Sequence, residues 1–419
     1  MTPAQMSVAF FLQMFVIIAA CRASGSLIKR FGQPQVVGEM IAGVVLGPSL
    51  FGLIAPNWQA ALFPAESRSV LYVGAQLGVG LYMFLVGLGF RGDHFRVHAR
   101  SAAAISLSGM AAPFLVALAL APWLLRLDLF GAAVTQVQAT LFMGAAISIT
   151  AFPMLARIIE ERGLAHTPLG SLSLSAGAID DAGAWTVLAL VLASFGGGPE
   201  VLVRAIVGGG LFAVVVLGLG PRLLAPLAAR AEREGGVRPP VLATALMLFM
   251  LSAWAMDASG IHSVFGGFLL GVAMPRGELS RGLQKQLEPI TLTLLVPMFF
   301  TFSGLNTQLA MVNSVGLAWI ALVILAGSIL AKGGACWAAA RLTGQDNATA
   351  LAVGTLMNAR GLMELIIINI GLQRGIIGPA LFSILVVMAI ATTLMASPLF
   401  ELFYGRRARL RGDFGGVEA

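Results

Sequence analysis

The sequence predicts an all-α polytopic membrane protein of about thirteen transmembrane helices, built as two inverted six-helix repeats with broken helices. Three observations carry this. The 419 residues are 58% hydrophobic and 11% charged, whereas a soluble domain has about 25% charged residues. Mean hydropathy is +0.90, which excludes an ordinary water-soluble core. Apolar runs of about 18 or more residues recur along the chain, each long enough to cross about 30 Å of hydrocarbon. Two of these runs, the fifth and the twelfth, are interrupted at corresponding places.

The runs fall at about 6–23, 35–54, 69–90, 101–124, 135–158, 171–195, 201–225, 239–257, 259–275, 289–306, 313–340, 346–373 and 376–404. Only a short turn near Ser259-Gly260 separates the eighth from the ninth, so twelve spans are the alternative. The first run lacks a basic start and a small-residue cleavage site, and reads as a span rather than a signal peptide. The count divides as six, one and six. Repeat one covers 6–195, a linking helix covers 201–225, and repeat two covers 239–404. The membrane domain is thus 1–404, with 405–419 a short cytoplasmic tail and no soluble domain appended. A single linking span inserts the second half in inverted orientation.

Charge sets the orientation. Alternate connections are basic: Arg22, Lys29 and Arg30; Arg91, Arg96 and Arg100; Arg157 and Arg162; Arg222, Arg230, Arg233 and Arg238; Arg276, Arg281 and Lys285; Arg341; then Arg406, Arg407, Arg409 and Arg411. The opposite side carries Arg68, Arg126, Arg204 and Arg374. The positive-inside rule places the N-terminus outside and the C-terminus in the cytoplasm. The net charge of +7 is therefore a topology signal and does not point to nucleic acid. Cys21 and Cys336 lie far apart in apolar segments and read as small buried side chains. No metal-ligand cluster, phosphate loop or nucleophile motif stands out, so neither a cofactor nor an enzymatic activity is expected.

The sixth run carries Asp180 and Asp181 in succession. A carboxylate at the bilayer centre costs about 2.5–3.5 kcal/mol on insertion scales. Two in a row call for a partner, a proton or a bound cation. About 100° of helix separates them, so one can face an ion cavity while the other meets a second helix. Lys332 stands in the eleventh run, about 12 Å of helix from the boundary marked by Arg341. That is far for snorkelling, so Asp180 or Asp181 is the expected partner, and the lysine could join the proton cycle.

In the fifth run Pro153 removes a backbone hydrogen bond. Ser148 and Thr150 offer hydroxyls beside that break. In the twelfth run Asn358, Arg360, Gly361 and Glu364 interrupt the apolar pattern. Broken segments at matching places in two halves point to a midplane binding site. Unwound backbone at that depth must be buried in protein or reached by water. Arg360 and Glu364, four residues apart, share a helix face. They can pair with each other, or each can neutralise a helix end exposed by the other break. Glu39 lies near a basic connection and reads equally as interfacial. Gly38, Gly43 and Gly47, with Gly74, Gly78 and Gly80, are expected to permit close helix packing.

Four stretches carry a family resemblance. They are Arg30-Phe-Gly-Gln-Pro-Gln-Val-Val-Gly-Glu-Met-Ile-Ala-Gly-Val-Val-Leu-Gly-Pro-Ser-Leu, Met83-Phe-Leu-Val-Gly-Leu, Ser148-Ile-Thr-Ala-Phe-Pro-Met-Leu-Ala-Arg and Leu356-Met-Asn-Ala-Arg-Gly-Leu-Met-Glu-Leu. Through them the membrane domain resembles the monovalent cation:proton antiporter-2 superfamily, which includes plant cation/proton exchangers and Kef-type transporters. The resemblance implies a homodimer in which each protomer has a dimerisation domain and a mobile core of spans four to six and eleven to thirteen. It implies crossed broken helices at the centre of that core, and alternating access by its elevator-like displacement. Asp181 then looks like the main carrier of cation and proton, and Asp180 like the partner of Lys332, with Ser148 and Thr150 lining the site. Asp181 and Asp180 would hold Na⁺ or K⁺ transiently. The adjacent aspartates are similar to those of electrogenic sodium/proton antiporters, whereas plant-type members more often carry Asn before the Asp. The nucleotide-binding domain of Kef-type proteins is not expected here.

The function expected is exchange of Na⁺ or K⁺ for H⁺ across a bacterial inner membrane, contributing to pH homeostasis. A cation-coupled symporter of an organic solute on a related inverted-repeat fold is the alternative. An intramembrane aspartyl protease needs its two aspartates on facing helices, and neighbours on one helix do not fit. A channel would need no exchange coupled to protonation.

Overall fold

The computed structural model describes residues 2–405 apart from 32, 34, 90–91, 165–166, 193, 195–199, 201–202, 260–262 and 307–313. The side chains of some further helical residues, Pro153 among them, lie outside the described set, as does the tail 406–419.

The described residues are helical throughout, apart from turns and one isolated antiparallel bridge between Phe130 and Ile377. The helices are α1 (Pro3–Arg30), α2 (Gln35–Leu46), α3 (Phe51–Ile54), α4 (Pro56–Leu62), α5 (Arg68–Gly89), α6 (Gly92–Arg126), α7 (Gln136–Ser148), α8 (Phe152–Glu161), α9 (Pro168–Leu192), α10 (Gly210–Arg233) and α11 (Pro239–Ala258). They continue with α12 (Ser263–Ala273), α13 (Glu278–Ile290), α14 (Val296–Leu305), α15 (Val315–Ser328), α16 (Gly334–Leu342), α17 (Asn347–Leu356), α18 (Leu362–Gln373) and α19 (Pro379–Phe400). Wide π turns lead into α10 (Arg204–Gly209), join α13 to α14 (Thr291–Leu295), join α15 to α16 (Ile329–Gly333), and extend α19 (Glu401–Gly405).

Every one of the thirteen apolar runs contains helix. Among the described residues nine helical stretches are long and apolar enough to cross a membrane. The other four runs are the two interrupted ones, the short α12, and α9 with its aspartates. Several boundaries differ from the sequence reading: α6 starts at Gly92 and α13 at Glu278, ahead of the runs at 101 and 289, and two helices outrun their apolar stretches. α1 runs on to Arg30, so Arg22, Lys29 and Arg30 belong to a helix and not to a loop. α10 runs on to Arg233, which shortens the basic connection expected at 226–240. Good helix formers, mainly Ala, Leu and Arg, carry α10 past its apolar stretch, α1 continues through Ser24-Gly25-Ser26, and in both the terminal basic residues suit the negative end of the dipole.

The chain forms two compact units. One comprises Met1–Arg22, Ala42–Gly92 and Gly196–Leu305. Its core gathers Leu81, Phe84, Leu85, Phe249, Leu270 and Met274, with the Phe84 and Phe249 rings 5.9 Å apart. Without a hydrophobic drive between lipid-bathed helices, close approach supplies the attraction, and glycines permit it. A Cβ on Gly271 would lie 2.2 Å from the Phe84 carbonyl oxygen, and one on Gly304 would lie 2.0 Å from that of Gly43. Gly47, Gly74 and Gly78 are equally crowded.

The second unit comprises Ala23–Ile41, Asp93–Phe195 and Asn306–Ala419. It includes the fourth to sixth and eleventh to thirteenth runs. Here Gly38 packs on the Gly25 backbone, where a Cβ would come within 2.6 Å. The first half of each interrupted span starts with a side-chain cap. Thr135 and Gln138 form a capping box on α7. Asp346, in the connection before α17, accepts from the N–H groups of Ala348 and Thr349 at 2.9 and 3.2 Å. Hydrogen bonding, first of all from the Thr349 side chain, holds the Asp346 carboxyl below the usual carboxylate range.

Two outcomes are expected. Gly271→Ala and Gly304→Ala should each lower stability by about 1–3 kcal/mol through overpacking, read as reduced melting temperature and loss of monodisperse protein. Gly218→Ala, with nothing within 4 Å of the added carbon, should be tolerated. Asp346→Ala should cost about 1 kcal/mol. Because folding lowers the Asp346 pKa, its contribution is present above the unfolded carboxylate value and fades as pH falls through the folded one. The wild-type advantage over Asp346→Ala should therefore shrink in acid thermal melts.

Candidate functional site

Both interrupted spans unwind inside the second unit. α7 ends at Ser148, residues 149–151 are extended, and α8 starts at Phe152. α17 ends at Leu356, and α18 starts at Leu362. The two unwound stretches meet: the Ala151 N–H donates to the Ala359 carbonyl at 3.0 Å. The Thr150 hydroxyl donates to the Met357 carbonyl at 2.8 Å. Pro153 sits within the first turn of α8. Proline is tolerated there because the first-turn N–H groups have no intrahelical acceptor. The proline therefore starts a half-helix and does not kink a continuous one.

Charged groups are grouped around this crossing. Asp180 and Lys332 are both fully buried, with Lys332 Nζ 3.0 Å from Asp180 Oδ2 and 3.3 Å from Oδ1. Asp180 Oδ2 also accepts from the Thr150 backbone N–H at 2.9 Å. Lys332 Nζ donates in addition to the Ser148 carbonyl. The lysine projects from the π turn Ile329–Gly333, a local widening of the helix that often marks functional positions.

Arg360 is fully buried as well. Its guanidinium donates to the carbonyls of Ala146 (3.1 Å), Ile147 (2.6 Å) and Ile149 (3.4 Å), and to the Ser328 hydroxyl. Its own N–H donates to the Thr393 hydroxyl at 3.0 Å. Glu364 Oε2 lies 3.7 Å from Arg360 Nη1, and neither Glu364 oxygen has a hydrogen-bond partner among the described residues. Both sequence alternatives for Arg360 thus hold together: it contacts Glu364 and also covers the helix end left by the other break. Asn358 donates from Nδ2 to the Gly354 carbonyl at 3.0 Å.

Asp181 shares the lack of hydrogen bonds with Glu364 but, among the described residues, has no ion pair either. It is 1% exposed, and neither of its oxygens has a hydrogen-bond partner among the described residues. The helix geometry expected for adjacent aspartates is realised: Asp180 meets the lysine, and Asp181 points elsewhere.

The structure brings Asp180, Lys332, Ser148, Thr150, Asn358, Arg360 and Glu364 to one crossing, but not all in the manner foreseen. Ser148 and Thr150 contribute backbone groups to the charge network. The Ser148 hydroxyl donates to the Ala145 carbonyl at 3.2 Å, and that of Thr150 is bound to Met357. Ser328 and Thr393, partners of Arg360, were not foreseen. Each lies in an uninterrupted apolar run, where a lone hydroxyl also satisfies itself on a backbone carbonyl. Among the described residues no cluster of three metal-ligating side chains exists.

Over residues 15–402 the chain matches the family model described as sodium/hydrogen exchanger, transmembrane. It is 37% identical over 398 residues to the Na(+)/H(+) antiporter NhaS4 of Synechocystis sp., an alignment covering 93% of this chain and 96% of that protein. It is 33% identical over 413 residues to Cation/H(+) antiporter 18 of Arabidopsis thaliana, covering 96% of this chain and 50% of that one. Similarity to K(+)/H(+) antiporter 1 of Saccharomyces cerevisiae is 31% over 421 residues, covering 94% and 46%. The chain spans about half the length of these plant and yeast relatives. In structure it is similar to the sodium proton antiporter MjNhaP1 from Methanocaldococcus jannaschii, with a TM-score of 0.64, 12% identity, and coverage of 97% and 98%. This likeness is one of fold.

Removing one member of a buried ion pair leaves the other uncompensated, at about 3–5 kcal/mol. Lys332→Met should therefore lower the melting temperature of the purified protein more than Asp180→Asn and Lys332→Met together. A strictly additive double-mutant cycle would show that the pair is not coupled.

Proposed function

The chain belongs to the sodium/hydrogen exchanger family, and from that premise we propose that Asp181 is the group at which a monovalent cation and a proton exclude each other. The protein is an integral membrane antiporter that exchanges a monovalent cation for H⁺. Relatives named for sodium and for potassium exchange support that class of cation. The observation that carries the assignment is the contrast between the two neighbours. Asp180 is occupied by Lys332 and the Thr150 N–H, while Asp181 is buried with both oxygens unengaged among the described residues.

Charge counting supports the same reading. At the crossing three buried carboxyl groups (Asp180, Asp181 and Glu364) face two buried cations (Lys332 and Arg360), while a fourth buried carboxyl, Glu39, stands on α2 and accepts from Gln35. With all five ionised, one negative charge is in surplus, and either one monovalent cation or one proton cancels it. A buried uncompensated charge is strongly disfavoured, so the loaded states can cross and the empty ionised state is held back. Competition for one carboxylate then couples the two ions.

Within this reading Asp180 is the second carboxyl of the site, Lys332 its ion-pair partner, and Ser148 and Thr150 the backbone frame. Pro153, Asn358, Arg360 and Glu364 maintain the break and its charge balance. The repeats at 6–195 and 239–404 with the linking helix at 201–225, the homodimer and the elevator-like movement belong to the proposal. So do residence in a bacterial inner membrane, with the N-terminus outside and the C-terminus in the cytoplasm, and a part in pH homeostasis. The resemblance in sequence motifs and the basic connections support them.

In proteoliposomes, Asp181→Asn should abolish pH-driven cation exchange while leaving the melting temperature close to wild type. Normal exchange in that variant would sink the assignment. For the wild type, the apparent KM for cation should rise as pH falls, with the maximal rate little changed. A maximal rate that falls while KM stays constant would show that proton and cation do not share the carboxylate.

A further inference from the structure

A cavity of about 340 Å³ lies in the second unit, behind the crossing and apart from Asp181. Its wall is formed largely by the π turn that carries Lys332 (Ile329, Leu330, Gly333), by α17 and by the end of α19. Phe403, from the π turn that extends α19, closes one side, and Trp337 borders another. Leu330 is 72% exposed, and Trp337 is 38% exposed. Both lie on Val315–Leu342, a helical stretch long and apolar enough to span the membrane. The mouth therefore opens along a stretch whose length and composition suit hydrocarbon.

The cavity is also left open by sequence. Gly334 lines it, lies in regular helix, and has nothing within 4 Å of an added Cβ. Glycine inside a helix costs about 1 kcal/mol relative to alanine, and at this position no close backbone contact requires it. At about 30 Å³ per water-sized group the volume holds roughly a dozen such groups, matching one alkyl chain. The lining is mostly apolar; of its three polar residues, Thr355 and Thr392 donate to backbone carbonyls, and Asn358 donates to Gly354 while its Oδ1 has no partner among the described residues.

We propose that this cavity is a binding site for one acyl chain of a bilayer phospholipid, which packs the back of the turn presenting Lys332 to Asp180. An empty void there would forfeit dispersion contacts along that turn. The chain supplies them and steadies Lys332, Asn358 and the crossing. The inference needs only insertion in a bilayer and is independent of the assignment of Asp181.

The test uses the full chain in proteoliposomes containing a phosphatidylcholine with a photoreactive diazirine in its acyl chain, with adducts mapped by mass spectrometry. Adducts are expected on Leu330, Trp337, Leu351 and Phe403 more densely than on exposed Trp319 and Leu322 of α15. Gly334→Leu should remove the cavity adducts several-fold and leave those on Trp319 and Leu322 unchanged, with Gly334→Ala intermediate. Added phosphatidylcholine should raise the melting temperature of delipidated wild type more than that of Gly334→Leu. Cavity adducts no denser than the surface ones in wild type, or unaffected by Gly334→Leu, would overturn the proposal.

Discussion

The hydrogen bond between the Ala151 N–H and the Ala359 carbonyl fastens two unwound segments together where lipid would otherwise leave backbone groups unsatisfied. Breaking two helices at one place creates four half-helix ends, two with exposed carbonyls and two with exposed N–H groups. The arrangement of charges follows from that constraint. The carbonyl end of α7 is covered by Lys332 at Ser148 and by Arg360 at Ala146, Ile147 and Ile149. The N–H end leading into α8 is met by Asp180 through Thr150. The carbonyl end of α17 is met by the Thr150 hydroxyl at Met357 and by Ala151 just beyond. Glu364 stands in the first turn of α18, where a negative charge suits the helix dipole.

Much of this was legible in the sequence, because membrane insertion makes polar residues conspicuous. Ionisable side chains deep inside apolar runs, such as Asp180, Asp181, Lys332, Arg360 and Glu364, have few explanations in lipid. The same rule made the break at Pro153 readable, since Ser148, Thr150 and a proline cluster in one span. Partner choice was harder. Sequence spacing shows that Asp180 and Asp181 face different ways, but not which one faces Lys332. That choice depends on the rotation of α9 against α15 and α16, and the π turn at Ile329–Gly333 alters the rotation without a mark in the sequence. The same turn places Lys332 where its ammonium reaches the Ser148 carbonyl as well as Asp180. Backbone acceptors and donors, which carry much of this network, have no sequence signature at all.

Hydroxyl groups illustrate the remaining gap. Ser148 and Thr150 stand beside the break and suggest direct ion ligands. In the structure both hydroxyls are engaged with carbonyls, and it is their backbone groups that touch the charges. Ser328 and Thr393, further away in sequence, complete Arg360. A hydroxyl in an apolar helix can satisfy itself on the preceding turn, so composition does not distinguish one that reaches across from one that does not.

Four of the five buried charges at the crossing therefore have a structural task. Lys332, Arg360 and Asp180 each hold an unwound chain end, and Glu364 balances Arg360 at the start of α18. A group so committed is a poor carrier, because changing its charge would release a helix end in the middle of the membrane. Asp181 carries no such duty among the described contacts. Cancelling its charge would break none of the described contacts of the crossing. The same frame that makes the break tolerable thus leaves Asp181, among the described carboxyls of the crossing, as the group we propose to exchange.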